Sequence, residues 1–227
     1  MSVESSRAGV NDPEGLAWVV LVYRVPTEPG SKRVAVWREL KRMGALYLQQ
    51  CVCLLPGRPE ILDELERVTA KIAAMEGEYT LLDVPHLRPG DSERMIAAFR
   101  ELRDKEYAEI VEECETKFVK EIEFEHFRQN YTYGEAEEIR QDLDKIKRWF
   151  ASVVARDWFG AERRGEVERW IARCEDLLAE FEDAVYRHGG DDGPPMRQPD
   201  AVAPHAIDGL RRLPARQPRA ASEEGIG

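Results

Sequence analysis

The residues best suited to chemistry in this chain are arginines and lysines that gather in one early stretch. Seven cations and only two carboxylates lie between Leu16 and Arg58, although the whole chain has a formal net charge of −11. Such a local excess suits contact with phosphate groups, each adding to a salt-dependent affinity. The alternative is a solvated face, or one that docks on the acidic part of the same chain. The candidate phosphate-binding residues are Arg24, Lys32, Arg33, Arg38, Lys41 and Arg42.

A second set of cations surrounds an aromatic pair late in the chain. Arg156, Arg163 and Arg164 flank Trp158 and Phe159. Guanidinium groups near the start of a helix are suited to holding a tetrahedral oxyanion. The alternative, which we favour, is a hydrophobic plug with arginines around its rim, because large aromatic side chains usually bury for packing.

The cysteines and histidines form no recognisable catalytic or metal-binding pattern. Cys51 and Cys53 are spaced to share one face of a strand, which permits a metal or redox pair. No nearby histidine or third cysteine completes such a site, and buried core thiols are the commoner arrangement. Cys114 and Cys174 lie on apolar helix stripes, where packing is expected. We therefore expect neither an enzyme nor a cofactor or metal site.

The first half of the chain must position the early cations, and its pattern predicts alternating strands and helices. A β-branched run at 18–23 predicts a buried strand, and Ser31 is expected to cap a helix that runs to Met43 and ends at Gly44. The predicted apolar stripe of this helix is Val34, Trp37, Leu40 and Met43. The further predicted elements are a strand at 45–55, a helix from Pro59 to Gly77 and a strand at 78–84. This β-α-β-α-β order favours a small ferredoxin-like domain over residues 16–88, for which a fourth strand is still to be found.

The second half predicts long amphipathic helices. One should begin with Asp91 or Ser92 as its cap and run to about His126. Others should span about 135–156 and 165–186. Short connections favour antiparallel neighbours, so residues 91–187 are predicted to form a three-helix bundle in an α+β protein. Residues 1–15 and 189–227 lack apolar periodicity, which predicts a disordered N-terminus and a disordered C-terminal tail.

Composition excludes some classes of protein and location. No apolar run approaches the roughly 20 residues of a membrane span, and the first residues carry no signal-peptide core. We therefore expect a cytoplasmic protein that does not insert into membranes. Its overall negative charge means that any nucleic-acid contact must use a local basic face.

Several separate motifs, in order, resemble the N-terminal domain of the chromate-resistance regulator ChrB family. They are the segments 18–26, 33–50, 53–56, 103–107, 112–114 and 155–160, within a resemblance that covers about 16–186. The resemblance implies DNA binding at an operator, control of a chromate-efflux operon and chromate as an effector. Full-length members carry a further C-terminal domain, where this chain has a low-complexity tail. We also expect a homodimer.

The sheet half is also similar to the CRISPR adaptation nuclease subunit and to the middle domain of PaaX-type repressors. In the nuclease family an aspartate that serves a metal ends the first strand. Arg24 stands at that position here, and a guanidinium has no acceptor for Mg²⁺. This difference argues against a metal-dependent nuclease and leaves a nucleic-acid-facing role open. The alternative is a helical interaction module that dimerises through its sheet and makes no DNA contact.

Overall fold

The first part of the protein is a four-stranded antiparallel sheet with two helices on one face. The computed structural model describes residues 16–26, 28 and 30–188. In chain order the elements are β1 (Trp18–Arg24), α1 (Ser31–Arg42), β2 (Leu46–Gln49), β3 (Val52–Pro56), α2 (Pro59–Ala74) and β4 (Glu78–Val84). The strands lie in the order β2-β3-β1-β4, so β1 is central and β2 and β4 form the edges. The α+β class predicted from the sequence is confirmed.

The predicted single strand at 45–55 is wrong, because it folds back on itself as a hairpin. Gln50 and Cys51 form the turn between β2 and β3, and Leu46 pairs with Leu54 across the hairpin. Cys51 has φ 65°, a left-handed conformation that a residue with a side chain disfavours. The fourth strand that the β-α-β-α-β prediction lacked is therefore inside this segment.

The face of α1 that packs on the sheet differs from the predicted one. Val36, Leu40 and Met43 are buried against β1 and β3, whereas Val34 and Trp37 are each 44% exposed. The stripe of Val34, Trp37, Leu40 and Met43 was therefore half wrong. The segment contains two apolar rows at helical spacing, and the row that includes Val36 is the one that fills the core.

The second part of the protein is helical and shares one apolar core. Its elements are α3 (Pro89–Glu113), a π-helical turn (Cys114–Phe118), α4 (Val119–Arg128), α5 (Tyr133–Val154) and α6 (Arg164–His188). Thus α3, the π turn and α4 make the continuous long helix expected from the sequence, with one wide turn inside it. Tyr107, Ile122, Leu143 and Phe181 are among the residues buried in this core.

Three residues that the sequence offered as helix N-caps, Ser31, Asp91 and Ser92, do not cap their helices. The N-cap of α1 is Gly30 rather than Ser31, and the N-cap of α3 is Arg88, followed by a proline in the first turn, rather than Asp91 or Ser92. Gly44 does end α1, with φ 77°. At the end of α2 the left-handed residue is Glu76, and Gly77 is required there because an added Cβ would lie 2.7 Å from the Arg24 carbonyl oxygen.

The sheet part and the helical part meet through stacked aromatic rings. Trp18 on β1 stacks on Phe99 of α3 and on Phe159 of the α5–α6 loop, with ring centroids 5.9 and 5.8 Å apart. Trp158 meets Phe99 edge-on at 5.7 Å. The aromatic loop therefore packs against the sheet and α3, at the junction of the two parts.

Some sequence predictions fall outside the described part of the chain. The disordered segments predicted at 1–15 and 189–227 are among them. The predicted boundary between residues 88 and 91 coincides with the start of α3, and the division into two domains stays a prediction. Within residues 16–188, no helix combines the length and apolar character needed to cross a lipid bilayer.

Candidate nucleic-acid interface

Helix α1 carries five of the six predicted phosphate-binding residues. Its buried row of Val36, Leu40 and Met43 leaves the other faces open to solvent. Arg24 ends β1 on the same sheet face as Trp18 and Val20, which is the face opposite to α1. Because side chains alternate along a strand, the sheet separates Arg24 from the α1 cations. The structure therefore gathers five of these residues on one helix and leaves the sixth apart.

Two of the five α1 cations are held by contacts within the protein. Arg42 forms ion pairs with Glu39 at 2.9 Å and with Glu64 of α2 at 2.6 Å. The Glu39 carboxylate raises the pKa of Arg42. Lys32 donates a hydrogen bond to the Met75 carbonyl oxygen at 3.1 Å, at the end of α2. Both side chains therefore help to fix α1 against α2.

The other three α1 cations have no carboxylate partner among the described residues. Arg33 and Arg38 are exposed and take part in no ion pair there. Lys41 lies over the indole of Trp37, with its Nζ 5.2 Å from the ring centroid. Residues 33, 37 and 41 follow one another at four-residue intervals, so they share one row along the helix. This row, here called the α1 row, lies beside the edge strand β2.

A cleft of about 540 Å³ lies between the α1 row and the β2–β3 hairpin. Arg33, Trp37 and Cys51 line it, together with Tyr23 and Tyr47, whose hydroxyl oxygens are 3.1 Å apart. Burial is the largest cause that raises the pKa of both tyrosines. A second cavity, of about 300 Å³, lies on the other side of Trp37. Three aromatic side chains and one guanidinium group thus contribute to the lining of the cleft.

The three arginines proposed for an oxyanion do not converge. Arg156 pairs with Glu106 at 3.1 Å and donates to the Ser152 carbonyl oxygen at 2.8 Å. Arg163 pairs with Glu166 at 2.8 Å, and Arg164 with Glu168 at 3.1 Å. The Glu166 carboxylate raises the pKa of Arg163. Each guanidinium is therefore already held by a carboxylate of the helical part.

Arg156 instead belongs to a polar cluster at the junction between the two parts. Arg103, with 6% of its side chain exposed, lies 3.2 Å from the Glu106 oxygen that does not contact Arg156. Tyr107 donates to Asp157 at 3.1 Å. Burial is the main cause that lowers the pKa of Arg103 and raises that of Tyr107. Two guanidinium groups thus share one carboxylate, and Arg103 Nε and Nη1 and Arg156 Nε have no hydrogen-bond partner among the described residues.

The four cysteines are free thiols, two in the sheet part and two in the core of the helical part. Cys53 is buried in β3, and burial raises its pKa to about 12. Cys51 lies in the turn, so the two do not share a strand face as predicted. Cys114, at the π turn, and Cys174 of α6 are buried in the helical core, where a hydrogen bond between them lowers the pKa of the first and raises that of the second. Among the described residues no group of three histidine, cysteine, aspartate or glutamate side chains is arranged to hold a metal ion.

Sequence reasoning missed two features of this region. It assigned Trp37 to the core, although the exposed indole separates two cavities. It also missed Arg103 and Glu106 as a buried pair. A signal was present, since segments 103–107 and 155–160 both carried the family resemblance, and the fold brings them into one cluster through Glu106, Arg156 and Asp157.

Comparison with known proteins gives a consistent set of similarities. A family model described as Protein ChrB, N-terminal, matches residues 33–191. A curated relative from Cupriavidus metallidurans, called Protein ChrB, is 32% identical over 95 residues. That alignment covers 41% of this chain and 28% of the relative, so the chain corresponds to a minor part of that protein. No solved structure matches.

Proposed function

Because the chain belongs to the ChrB N-terminal family, we propose that it is a chromate-responsive transcriptional regulator that binds DNA. Family membership supports a link to chromate resistance. The proposed target is an operator upstream of a chromate-efflux operon. We place the protein in the cytoplasm and assign it no catalytic role.

The observation that carries the DNA-binding proposal is the set of α1 cations without carboxylate partners. Arg33, Arg38 and Lys41 project from one helix, whereas most arginines and lysines of the helical part are in ion pairs. Partner-free cations are the ones available to replace counterions along a phosphate backbone. Lys32 and Arg42 complete the proposed contact set with smaller contributions, because both are held internally, and Arg24 is left out of it because the sheet separates it from α1.

The fold supports a two-fold symmetric assembly. The β-α-β-β-α-β order and the strand order β2-β3-β1-β4 fit the ferredoxin-like assignment, which we adopt. Strand β4 is an edge, and six of its seven residues are exposed. It contains no proline or lysine, which commonly protect exposed edges. We propose a homodimer in which two copies of β4 pair.

For chromate we propose the junction cluster rather than three separate arginines. Of Arg156, Arg163 and Arg164, only Arg156 lies beside a second buried guanidinium with unsatisfied N–H groups. A doubly charged tetrahedral oxyanion would supply the acceptors that these groups lack. The junction touches the end of α1, since a Cβ on Gly44 would lie 3.0 Å from Arg103 Nη1. An anion bound at the junction is therefore positioned to change the orientation of α1 toward the DNA.

The test is fluorescence polarisation with a duplex from upstream of a chromate-efflux operon, titrated at several salt concentrations. We expect log affinity to fall linearly with log salt, with a slope of about −3 for three phosphate contacts. Replacing Arg33, Arg38 and Lys41 together by glutamine should remove most of that slope. Adding chromate should weaken duplex binding, and Arg156→Gln should lose that response while Arg164→Gln keeps it.

The same titration distinguishes the alternative, a dimerising interaction module without DNA contact. Sedimentation equilibrium across the salt series would then show a dimer whose stability changes little, because apolar strand pairing is weakly screened. A duplex affinity that is unchanged in the triple glutamine variant would reject the α1 surface. Saturable duplex binding that is insensitive to salt would reject phosphate contact altogether.

A further inference from the structure

The cleft between the α1 row and the β2–β3 hairpin has the dimensions and lining of a small-molecule site. Its volume of about 540 Å³ lies within the roughly 300–1,000 Å³ that ligand pockets occupy. Tyr23, Trp37 and Tyr47 make its walls largely aromatic. Arg33 is the one charged side chain among the described residues that line it. The cleft therefore favours a ligand that combines a flat ring with negative charge.

The geometry places a stacking surface at the mouth of the cleft. Trp37 is 44% exposed, which is unusual for the largest side chain and is not required by the core. Lys41 lines the smaller cavity and not the cleft, so the cation covers the other side of the indole. The Trp37 ring is thus open toward the cleft, where a planar group can stack on it.

Hydrogen-bonding groups in the cleft are suited to a heterocycle. Gln49 and Gln50 present two exposed side-chain amides, each with a donor and an acceptor end. Amide groups of this kind recognise adenine by paired hydrogen bonds to its edge. The Tyr23 and Tyr47 hydroxyl groups form a hydrogen bond with each other, which adds a polar pair to the lining of the cleft.

The backbone conformation of Cys51, which lines the cleft, is also unusual. Cys51 adopts its left-handed conformation at the turn that forms one wall of the cleft. Non-glycine residues in this conformation cost energy and cluster at ligand-binding sites. The position of Cys51 is fixed by the β1 backbone, because the Tyr23 N–H donates to its carbonyl oxygen at 3.0 Å.

We propose that this cleft binds a nucleotide, with the base stacked on Trp37 and the phosphate on Arg33. The inference goes beyond duplex recognition, since a stacked base must be unpaired. The nucleotide has two possible sources with the same chemistry, a free mononucleotide or an unpaired nucleotide in a strand. Both bring the flat ring and the anion that the lining of the cleft requires.

The experiment measures adenosine monophosphate binding by isothermal titration of the full chain. We expect saturable binding with a dissociation constant of about 1 mM or below. Trp37→Leu should weaken it about tenfold or more, as expected for a lost stacking contact. Arg33→Gln should weaken the monophosphate by a similar factor but leave adenosine unchanged. Arg38→Gln, on the same helix outside the cleft, is the control and should bind like wild type.

The source is decided by competition with a short single-stranded oligonucleotide and with a blunt duplex of the same sequence. Displacement by the single strand alone assigns the site to an unpaired nucleotide, and no displacement assigns it to the free nucleotide. No saturable binding of the monophosphate or the single strand overturns the proposal, as does equal binding by the Trp37→Leu variant. Duplex binding in the same samples reports separately on the proposed regulatory function, because it depends on Arg38.

Discussion

The α1 helix and the helical part of this protein use positive charge in opposite ways. Four of the five α1 cations form no ion pair with a described residue, and only Arg42 does. In the helical part the cations are paired repeatedly, for example Arg140 with Glu182, and Lys147 with Glu175 at 2.5 Å. The two regions have similar side chains, but the helical part pairs most of its cations internally, whereas α1 pairs one of its five.

If α1 binds DNA as we propose, this difference makes net charge a poor guide to where the polyanion binds. The chain is strongly acidic overall, yet its acids are concentrated where they already have partners or repel one another. A cation in an ion pair must break that pair before it contacts a phosphate, whereas Arg33 and Arg38 have no such contact to lose. Under the proposed function, the charge that contacts DNA is therefore the unpaired charge of α1, and it is local.

The variant with the largest expected effect on stability is Glu106→Gln, which removes the carboxylate shared by Arg103 and Arg156. Both guanidinium groups would then be left at the buried junction with reduced compensation. Removing one partner of a buried ion pair costs about 3 kcal/mol. We expect the free energy of unfolding to fall by that order, measured by urea denaturation monitored by circular dichroism.

The matched control is Glu101→Gln on the same helix. Glu101 pairs with Lys105 at 2.8 Å, and both side chains are about two-thirds exposed. Solvent screens such an exposed pair, so this variant should unfold almost like wild type. If the two variants lost the same small amount, the junction cluster would be no different from the surface pairs.

The second test separates the two kinds of cation within α1 itself. Arg38→Gln should weaken duplex binding about fivefold to tenfold near 0.1 M salt and leave the unfolding midpoint unchanged. Arg42→Gln should do the reverse, because Arg42 ties α1 to Glu64 of α2. Its loss should cost about 0.5 kcal/mol of stability and reduce duplex affinity less than the Arg38 change does. Polarisation and urea denaturation on the same preparations measure both effects.

Lys71→Gln is a useful companion, since Lys71 of α2 pairs with Glu39 of α1 at 2.9 Å but carries no proposed DNA role. It should affect stability as Arg42→Gln does and leave duplex affinity nearly unchanged. Equal losses of duplex affinity in Arg38→Gln, Arg42→Gln and Lys71→Gln would mean that only total charge matters. The distinction between paired and unpaired cations would then fail.

Much of the fold was predictable because long elements repeat their apolar pattern many times. The bounds of β4 and the long helices of the second part follow from such patterns. The β2–β3 hairpin was not predictable, because its turn is Gln50-Cys51 and lacks the glycine or asparagine that usually supplies a left-handed residue. A strained turn leaves no compositional signal, so the two strands were interpreted as one.

The candidate site was predictable in composition but not in geometry. The α1 cations are recognisable as a group in the sequence. Which of them form ion pairs depends on two α2 residues that the fold places beside α1, Glu64 and Lys71. Trp37 was misassigned because its row and the Val36 row both have helical spacing, and only the shape of the sheet face chooses between them. Arg103 and Arg156 are 53 positions apart in the sequence. Their shared contact with Glu106 therefore leaves no local pattern in the sequence.

The smallest expected effect concerns a carboxylate that the helical part leaves without a partner. Glu121 lies near Lys117 and Lys145, but these pair with Glu113 and Asp142. Burial, followed by repulsion from Asp142 and other nearby acids, raises the pKa of Glu121 above its ordinary value of 4.5. A raised folded-state pKa means that the charged form destabilises the fold above that pKa, and that this cost disappears as the pH falls toward 4.5 and below.

Glu121→Gln should therefore stabilise the protein at pH 7 by about 0.5 kcal/mol, since solvent screens much of the repulsion, and the gain should vanish near pH 4. Urea denaturation at both pH values, with the exposed Glu123→Gln as the control, measures it. A gain of equal size at both pH values would show that charge at Glu121 is not its cause.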